Sequence, residues 1–151
     1  MTSSTNPPQP AVPERGFIDD LLGFHVRVAQ LRLFAEFAAA VGDASLTPLL
    51  AGALFVIAAN PGANQRDLAG LLAADPSTMV RLIDQLAKRG WVVRETAAHD
   101  RRNTVPRITQ AGSATLERLS AAIRTSEDCV AGALSAAERN VLLDLLRRLA
   151  G

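Results

Sequence analysis

Between Phe17 and Val41 apolar residues recur at three- and four-residue steps (Phe17, Leu21, Phe24, Val28, Leu31, Ala35, Ala38), the period of one long helix. Leu33, Phe37 and Val41 place apolar character on a second face, so this helix has two partners to satisfy. Thr47-Pro48 supplies a cap and a first-position proline for a helix that runs to about Ala59, where Asn60-Pro61-Gly62 breaks it. Asn64 then caps a short helix with its body at Leu68 to Ala73. Asp75-Pro76 opens another helix, in which Val80, Ile83, Leu86 and Ala87 form an apolar stripe. Ser77, Thr78, Arg81, Asp84, Gln85 and Lys88 fall away from that stripe, and Gly90 ends the helix after Lys88-Arg89.

The period then changes. Trp91-Val92-Val93-Arg94 has the β-branched and aromatic content of a strand beginning at Trp91, followed by a basic loop, His99-Asp100-Arg101-Arg102-Asn103, and a returning strand ending at Ile108-Thr109. Pro106 lies in that strand; having no amide to donate, it is expected to face outward on an edge, which bears on the length and rigidity of the hairpin. Thr109 caps a long helix from Gln110 towards Leu134, with Leu116, Leu119 and Ile123 among its apolar positions. Ser135 and Glu138 have the spacing of a capping box, and Val141, Leu142, Leu145, Leu146 and Leu149 make the last helix amphipathic.

The fold class expected is mainly α with a small β-hairpin wing: a winged helix-turn-helix, whose construction holds one helix in a DNA groove and a basic hairpin beside it. The chain of 151 residues divides into a proline-rich tail at 1–15 read as disordered, an N-terminal dimerisation and effector helix at 16–46, the winged unit at 47–109, and C-terminal dimerisation helices at 110–151. The end helices carry more apolar surface than one small lobe covers, so a homodimer is expected.

Net charge is only +1, but its distribution is uneven. Between Arg81 and Arg107 seven Lys/Arg stand against three Asp/Glu, a local +4 that leaves −3 for the rest. Positive charge is gathered on the second helix of the pair and the hairpin, as phosphate binding requires. No apolar stretch approaches the roughly 20 residues that cross a bilayer, so no membrane partner is expected. A basic start followed by an apolar block is missing, and the single cysteine, Cys129, has no partner for an internal disulfide; both fit a cytoplasmic protein. His25 and His99 are the only histidines, and their spacing to Cys129 suits no metal site. With no nucleophile elbow or phosphate loop either, neither an enzyme nor a cofactor is expected.

The segments Gln65-Arg66-Asp67-Leu68-Ala69, Ser77 to Leu86, Arg89 to Arg94, Asp100-Arg101-Arg102 and Ile108-Thr109-Gln110-Ala111-Gly112 resemble, in order and spacing, the multiple antibiotic resistance regulator (MarR) family of bacterial transcription factors. The resemblance extends less sharply from about Phe17 to Leu149. It implies a dimer presenting two recognition helices to a pseudo-palindromic site on double-stranded DNA. It also implies that Arg102 enters a minor groove from the wing tip, with Asp100 orienting it and Arg101 on phosphate. Ser77, Thr78, Arg81 and Gln85 are the exposed candidates on the recognition helix, Arg81 reaching either a guanine or a phosphate. Arg66 either pins the DNA backbone or is an ordinary surface arginine.

In the family, effectors commonly bind where the first helix meets the DNA-binding lobe, and many are aromatic acids or related thioesters. Phe24, His25, Arg27, Val28, Leu31 and Arg32 are the candidates here: His25 and Arg32 share a face, and Arg27 lies beside Leu31 and Phe34. An arginine there either holds a ligand carboxylate against apolar surface or makes an intersubunit salt bridge. The expected ligand is a small anionic aromatic acid, free or as a coenzyme A thioester, that releases a repressor from its operator. Two alternatives stand: a winged-helix protein-interaction module, and redox sensing through Cys129, which is read instead as a buried small residue.

Overall fold

The computed structural model describes residues 14–97 and 100–151, with residues 97 and 100–103 described by their backbone alone. The element order is α1 (Leu22–Val41), α2 (Pro48–Ala59), α3 (Gln65–Leu71), α4 (Pro76–Lys88), β1 (Val92–Ala97), β2 (Asp100–Ile108), α5 (Gln110–Ala131) and α6 (Ala136–Ala150). The mainly helical class with one antiparallel hairpin is as expected. The tail expected to be disordered lies outside the described residues except for Glu14 and Arg15.

Caps at five helix starts are those the sequence indicates. Thr47, Asn64, Asp75 and Thr109 each accept a backbone amide of the first turn, and Ser135 and Glu138 close a full capping box. Side-chain oxygens satisfy amides that the first turn would otherwise leave without a partner. Gly90, at φ 71°, turns the chain out of α4 into the hairpin.

The core is built around α2, whose Leu50, Ala51, Ala53, Leu54 and Ile57 are all buried. Apolar on every side, this helix is enclosed by α4, β2 and α5, while α1 packs along α5. From α4 come Met79, Leu82, Ile83 and Leu86, with Val92 of β1 beneath them in the same cluster. The expected stripe on α4 is therefore corrected. Val80 is 38% exposed, because burial of Met79, Leu82, Ile83 and Leu86 follows the i, i+3, i+4, i+7 row and Val80 falls about 100° off it.

Several boundaries also differ from expectation. The long first helix does not start at Phe17: a 3₁₀ turn covers Gly16–Asp20, and Leu21 is extended (φ −90°, ψ 118°) before α1 begins. Of the apolar residues on α1 only Phe37 is buried, and Phe17, Leu21, Val28 and Leu31 stay exposed. The first helix of the DNA-binding pair starts at Gln65 and ends at Leu71, since Ala73 adopts a positive φ of 48°. The strand starts at Val92 and not at Trp91, α5 stops at Ala131, and Asp100 to Asn103 belong to β2 and not to a loop. Cys129 is exposed, contrary to the buried reading.

In the hairpin, Val92 pairs with Ile108, Arg94 with Pro106 and Thr96 with Thr104, and β2 runs through Pro106 without a break. The ring of Pro106 is fully buried, correcting the expectation that it faces outward. Alternation puts it on the same face as Val92 and Ile108, over the core. A two-stranded sheet leaves one side of each strand without a ladder partner, which makes room for a residue with no amide.

Candidate nucleic-acid and effector sites

Asp75 organises the start of α4 beyond capping it. Its Oδ1 accepts from the Thr78 amide at 2.8 Å and from the Ser77 hydroxyl at 2.5 Å, and its Oδ2 accepts from the Thr78 hydroxyl at 2.6 Å. Arg81 in turn donates to Thr78 Oγ1 at 3.0 Å. Ser77, Thr78 and Arg81 are thus one hydrogen-bonded group, with Gln85 exposed a turn beyond Arg81. The hydroxyls of Ser77 and Thr78 hold the Asp75 carboxyl far below the usual carboxylate range. Arg66 is exposed in the first turn of α3, which packs against α4. Sequence reasoning missed the organising part played by Asp75, although the Asp-x-Ser-Thr spacing carried the signal.

The local excess of positive charge is partly cancelled within the fold. Arg94 pairs with Asp84 at 2.6 Å and Arg107 with Glu95 at 2.6 Å, both at the surface. Arg89 donates to Asp43 at 2.9 Å and to the Ser45 hydroxyl at 2.6 Å, and its guanidinium lies 4.9 Å from the Trp91 ring centre. The Ser45 hydroxyl and then Arg89 lower the Asp43 carboxyl to about 2. Arg81 and Lys88 have no carboxylate partner among the described residues, which leaves them for an external anion. Asp100, Arg101 and Arg102 occupy the first three positions of β2, with side chains outside the described set; His99 is also outside it.

The base of the hairpin is locked to α5. Thr109 donates its amide to the Trp91 carbonyl at 2.9 Å and its hydroxyl to the Gly90 carbonyl at 2.7 Å, and accepts the Gly112 amide at 3.0 Å. Gly112 is buried where a Cβ would overlap the Trp91 carbonyl and press on Ile108. The Thr109-to-Gly112 motif therefore sets the position of both wing strands relative to α5.

The six α1 candidates do not converge on a cavity. His25 donates from Nε2 to the Asp19 carbonyl at 2.6 Å, and its ring meets Phe24 edge-on at 5.6 Å; Arg15 lies 5.3 Å from the Phe24 ring centre. Arg27, Val28, Leu31 and Arg32 are exposed along the next two turns. A cleft of about 270 Å³ opens further along the helix between α1, α2 and α5, with Phe34, Phe37, Phe55 and Ile123 in its walls. A second cleft of about 280 Å³, between the C-terminal end of α1, Trp91 and α5, is lined by Val41, Leu46, Thr115 and Arg118 among others. None of the six candidates lines either cleft.

Residues 44–103, from the α1–α2 connection into the start of β2, match the model of the MarR family. Over 129 residues, 85% of this chain and 78% of the relative, the sequence is 39% identical to a protein of Thauera aromatica assigned as transcriptional regulator for the hcr operon. The fold superposes on the transcriptional repressor CouR bound to a 23-mer DNA duplex with a TM-score of 0.86 and 34% identity, covering 93% of this chain and all of that one. A structure of CouR bound to p-coumaroyl-CoA matches at TM-score 0.81 and 33% identity, covering 91% and 96%. With a capped polar-faced α4, a two-stranded wing anchored to α5, and these matches across the whole fold, the chain belongs to the MarR family of winged-helix transcription regulators.

Proposed function

We propose that this regulator is a dimeric repressor that leaves its operator when it binds an anionic aromatic acid or the coenzyme A thioester of one. The observation that carries the DNA part is the polar face of α4, with Ser77, Arg81 and Gln85 exposed and Thr78 half-buried, set beside a wing that begins Asp100-Arg101-Arg102. In this reading α4 reads base edges in a major groove, Arg102 enters the adjacent minor groove, and Asp100 and Arg101 orient it and hold phosphate. Arg66 contacts the backbone. Two copies, joined through α1, α5 and α6, face the two halves of a pseudo-palindromic site.

The ligand part is supported by the likeness to CouR, whose structures hold p-coumaroyl-CoA and DNA in turn. The aromatic walls of the α1–α2–α5 cleft suit a ring, and Arg27 stands two turns before Phe34 on the same face of α1. Phe24, Val28 and Leu31 continue the apolar surface of that helix towards the N-terminus, where Arg32 and His25 receive the anionic part of the ligand. Ligand binding weakens the DNA complex only if the ligand prefers the arrangement of wings that does not fit the operator.

The test is binding to the DNA upstream of the gene, with unrelated duplex as competitor. Wild type is expected to bind selectively, Arg102→Ala to lose most of that binding, and p-coumaroyl-CoA or p-coumarate to release the wild type. Binding no better than to competitor would replace this reading with that of a protein-interaction module. Full release of Arg27→Ala and Arg32→Ala by the ligand would remove the α1 cations from the effector site.

A further inference from the structure

The second cleft, under Trp91, has a chemistry that neither the DNA contacts nor the α1 candidates use. Its walls are mixed: apolar side chains run from Val41 and Leu46 on the α1 side to Leu119 on α5, with polar groups between them. Two polar groups stand together in it. Arg118 makes its one hydrogen bond among the described residues to the Thr115 hydroxyl at 3.2 Å, and no carboxylate among them lies within salt-bridge distance.

Thr115 is unusual for its helix. Ser113, Ser120 and Thr125 donate their hydroxyls to the carbonyl four residues back, and Ser126 to the carbonyl three back. Those bonds are the ordinary way a helix satisfies a hydroxyl. Thr115 makes none: only 4% exposed, it accepts from Arg118 and donates to nothing among the described residues. A buried hydroxyl with its proton unspent, beside a guanidinium with N–H groups to spare, is a donor pair waiting for an acceptor with two oxygens. Asp43 also lines the cleft, but its carboxylate is already taken by Arg89 and Ser45.

We propose that this cleft is a second small-molecule site, separate from the α1–α2–α5 cleft, which takes a compact monocarboxylate. Arg118 and Thr115 each donate to the carboxylate, and the apolar body of the ligand lies against Leu46, Leu119 and the Trp91 indole. Because Trp91 joins the end of α4 to β1 and its carbonyl holds Thr109, the occupant touches the residue from which the wing springs.

Trp91 is the only tryptophan of the chain, so its fluorescence reports directly on this cleft. The experiment titrates the full-length protein, without DNA, with benzoate and with its neutral counterpart benzamide. Benzoate is expected to change the Trp91 emission saturably and benzamide to have little effect. Arg118→Gln is expected to weaken benzoate binding by at least about tenfold, and Thr115→Val, which keeps shape and removes the donor, by several-fold. Arg124→Gln, which removes an exposed cation of α5 that lines neither cleft, is expected to respond as wild type does. No saturable response in wild type, an equal response to benzamide, or a response lost in Arg27→Ala or Arg32→Ala and kept in Arg118→Gln would each overturn the proposal. The readout needs no operator, so it stands or falls separately from the DNA-binding reading.

Discussion

At the scale of single residues, two carboxylates do more than carry charge. Asp75 takes the hydroxyl protons of Ser77 and Thr78, so both hydroxyls turn lone pairs, and not protons, towards anything that approaches α4. Acceptors suit the amino groups on the major-groove edges of adenine and cytosine. Asp75→Ala is expected to lower the urea midpoint through loss of the cap and to relax base preference in selection from randomised duplexes. Unchanged preference would show that the hydroxyls are not read in this orientation. Asp43 fastens the α1–α2 connection to the end of α4, and its carboxyl is lowered from its ordinary 3.8 to about 2. A depressed carboxyl contributes stability that is complete above the ordinary value and disappears as pH falls through the depressed one. Wild type is therefore expected to melt above Asp43→Asn at neutral pH, with the difference shrinking between about pH 4 and pH 2. A constant difference over that window would contradict the ionised Asp43 carboxylate, held by Ser45 and then Arg89, as its source.

At the scale of elements, the wing depends on how β1, β2 and α5 meet. Thr109 ends one element and caps the next, while bonding back to Gly90 and Trp91 where the hairpin begins. Gly112 allows α5 to lie against that turn. Gly112→Ala is expected to cost about 1–3 kcal/mol in urea unfolding, as crowding of a close-packed site does, and to weaken DNA binding by displacing the wing. Full stability in that variant would mean the Trp91 carbonyl yields easily. The α4 periodicity shows how close two stripes can be in sequence: Val80, Ile83 and Leu86 make an acceptable row, but Met79 and Leu82 complete the one that is buried. Their polarity alone does not distinguish the two, and the packing of α2 against α4 does.

On the scale of the whole molecule, the exposed apolar faces point to a partner. No residue of α6 is buried; Leu142 is 45% and Leu146 40% exposed, with Leu145 and Leu149 beside them. Such a contiguous apolar surface is rarely left to water. Leu142→Glu combined with Leu146→Glu is expected to give a monomer in sedimentation equilibrium and to abolish operator binding at concentrations where wild type binds; a dimer persisting in that variant would place the interface elsewhere. The sequence by itself determined where the capped helices α2, α4, α5 and α6 begin, the hairpin and the winged outline, because caps, prolines, glycines and apolar period act over a few residues. It also named the polar face of α4, since an amphipathic helix declares its outer side. Only the tertiary structure decided that Pro106 lies inward, that Arg89, Arg94 and Arg107 spend their charge within the fold, and that Thr115 and Arg118 share a cleft with Trp91. Those are meetings between residues distant along the chain, and the packing of whole elements, which no local pattern encodes, sets their geometry.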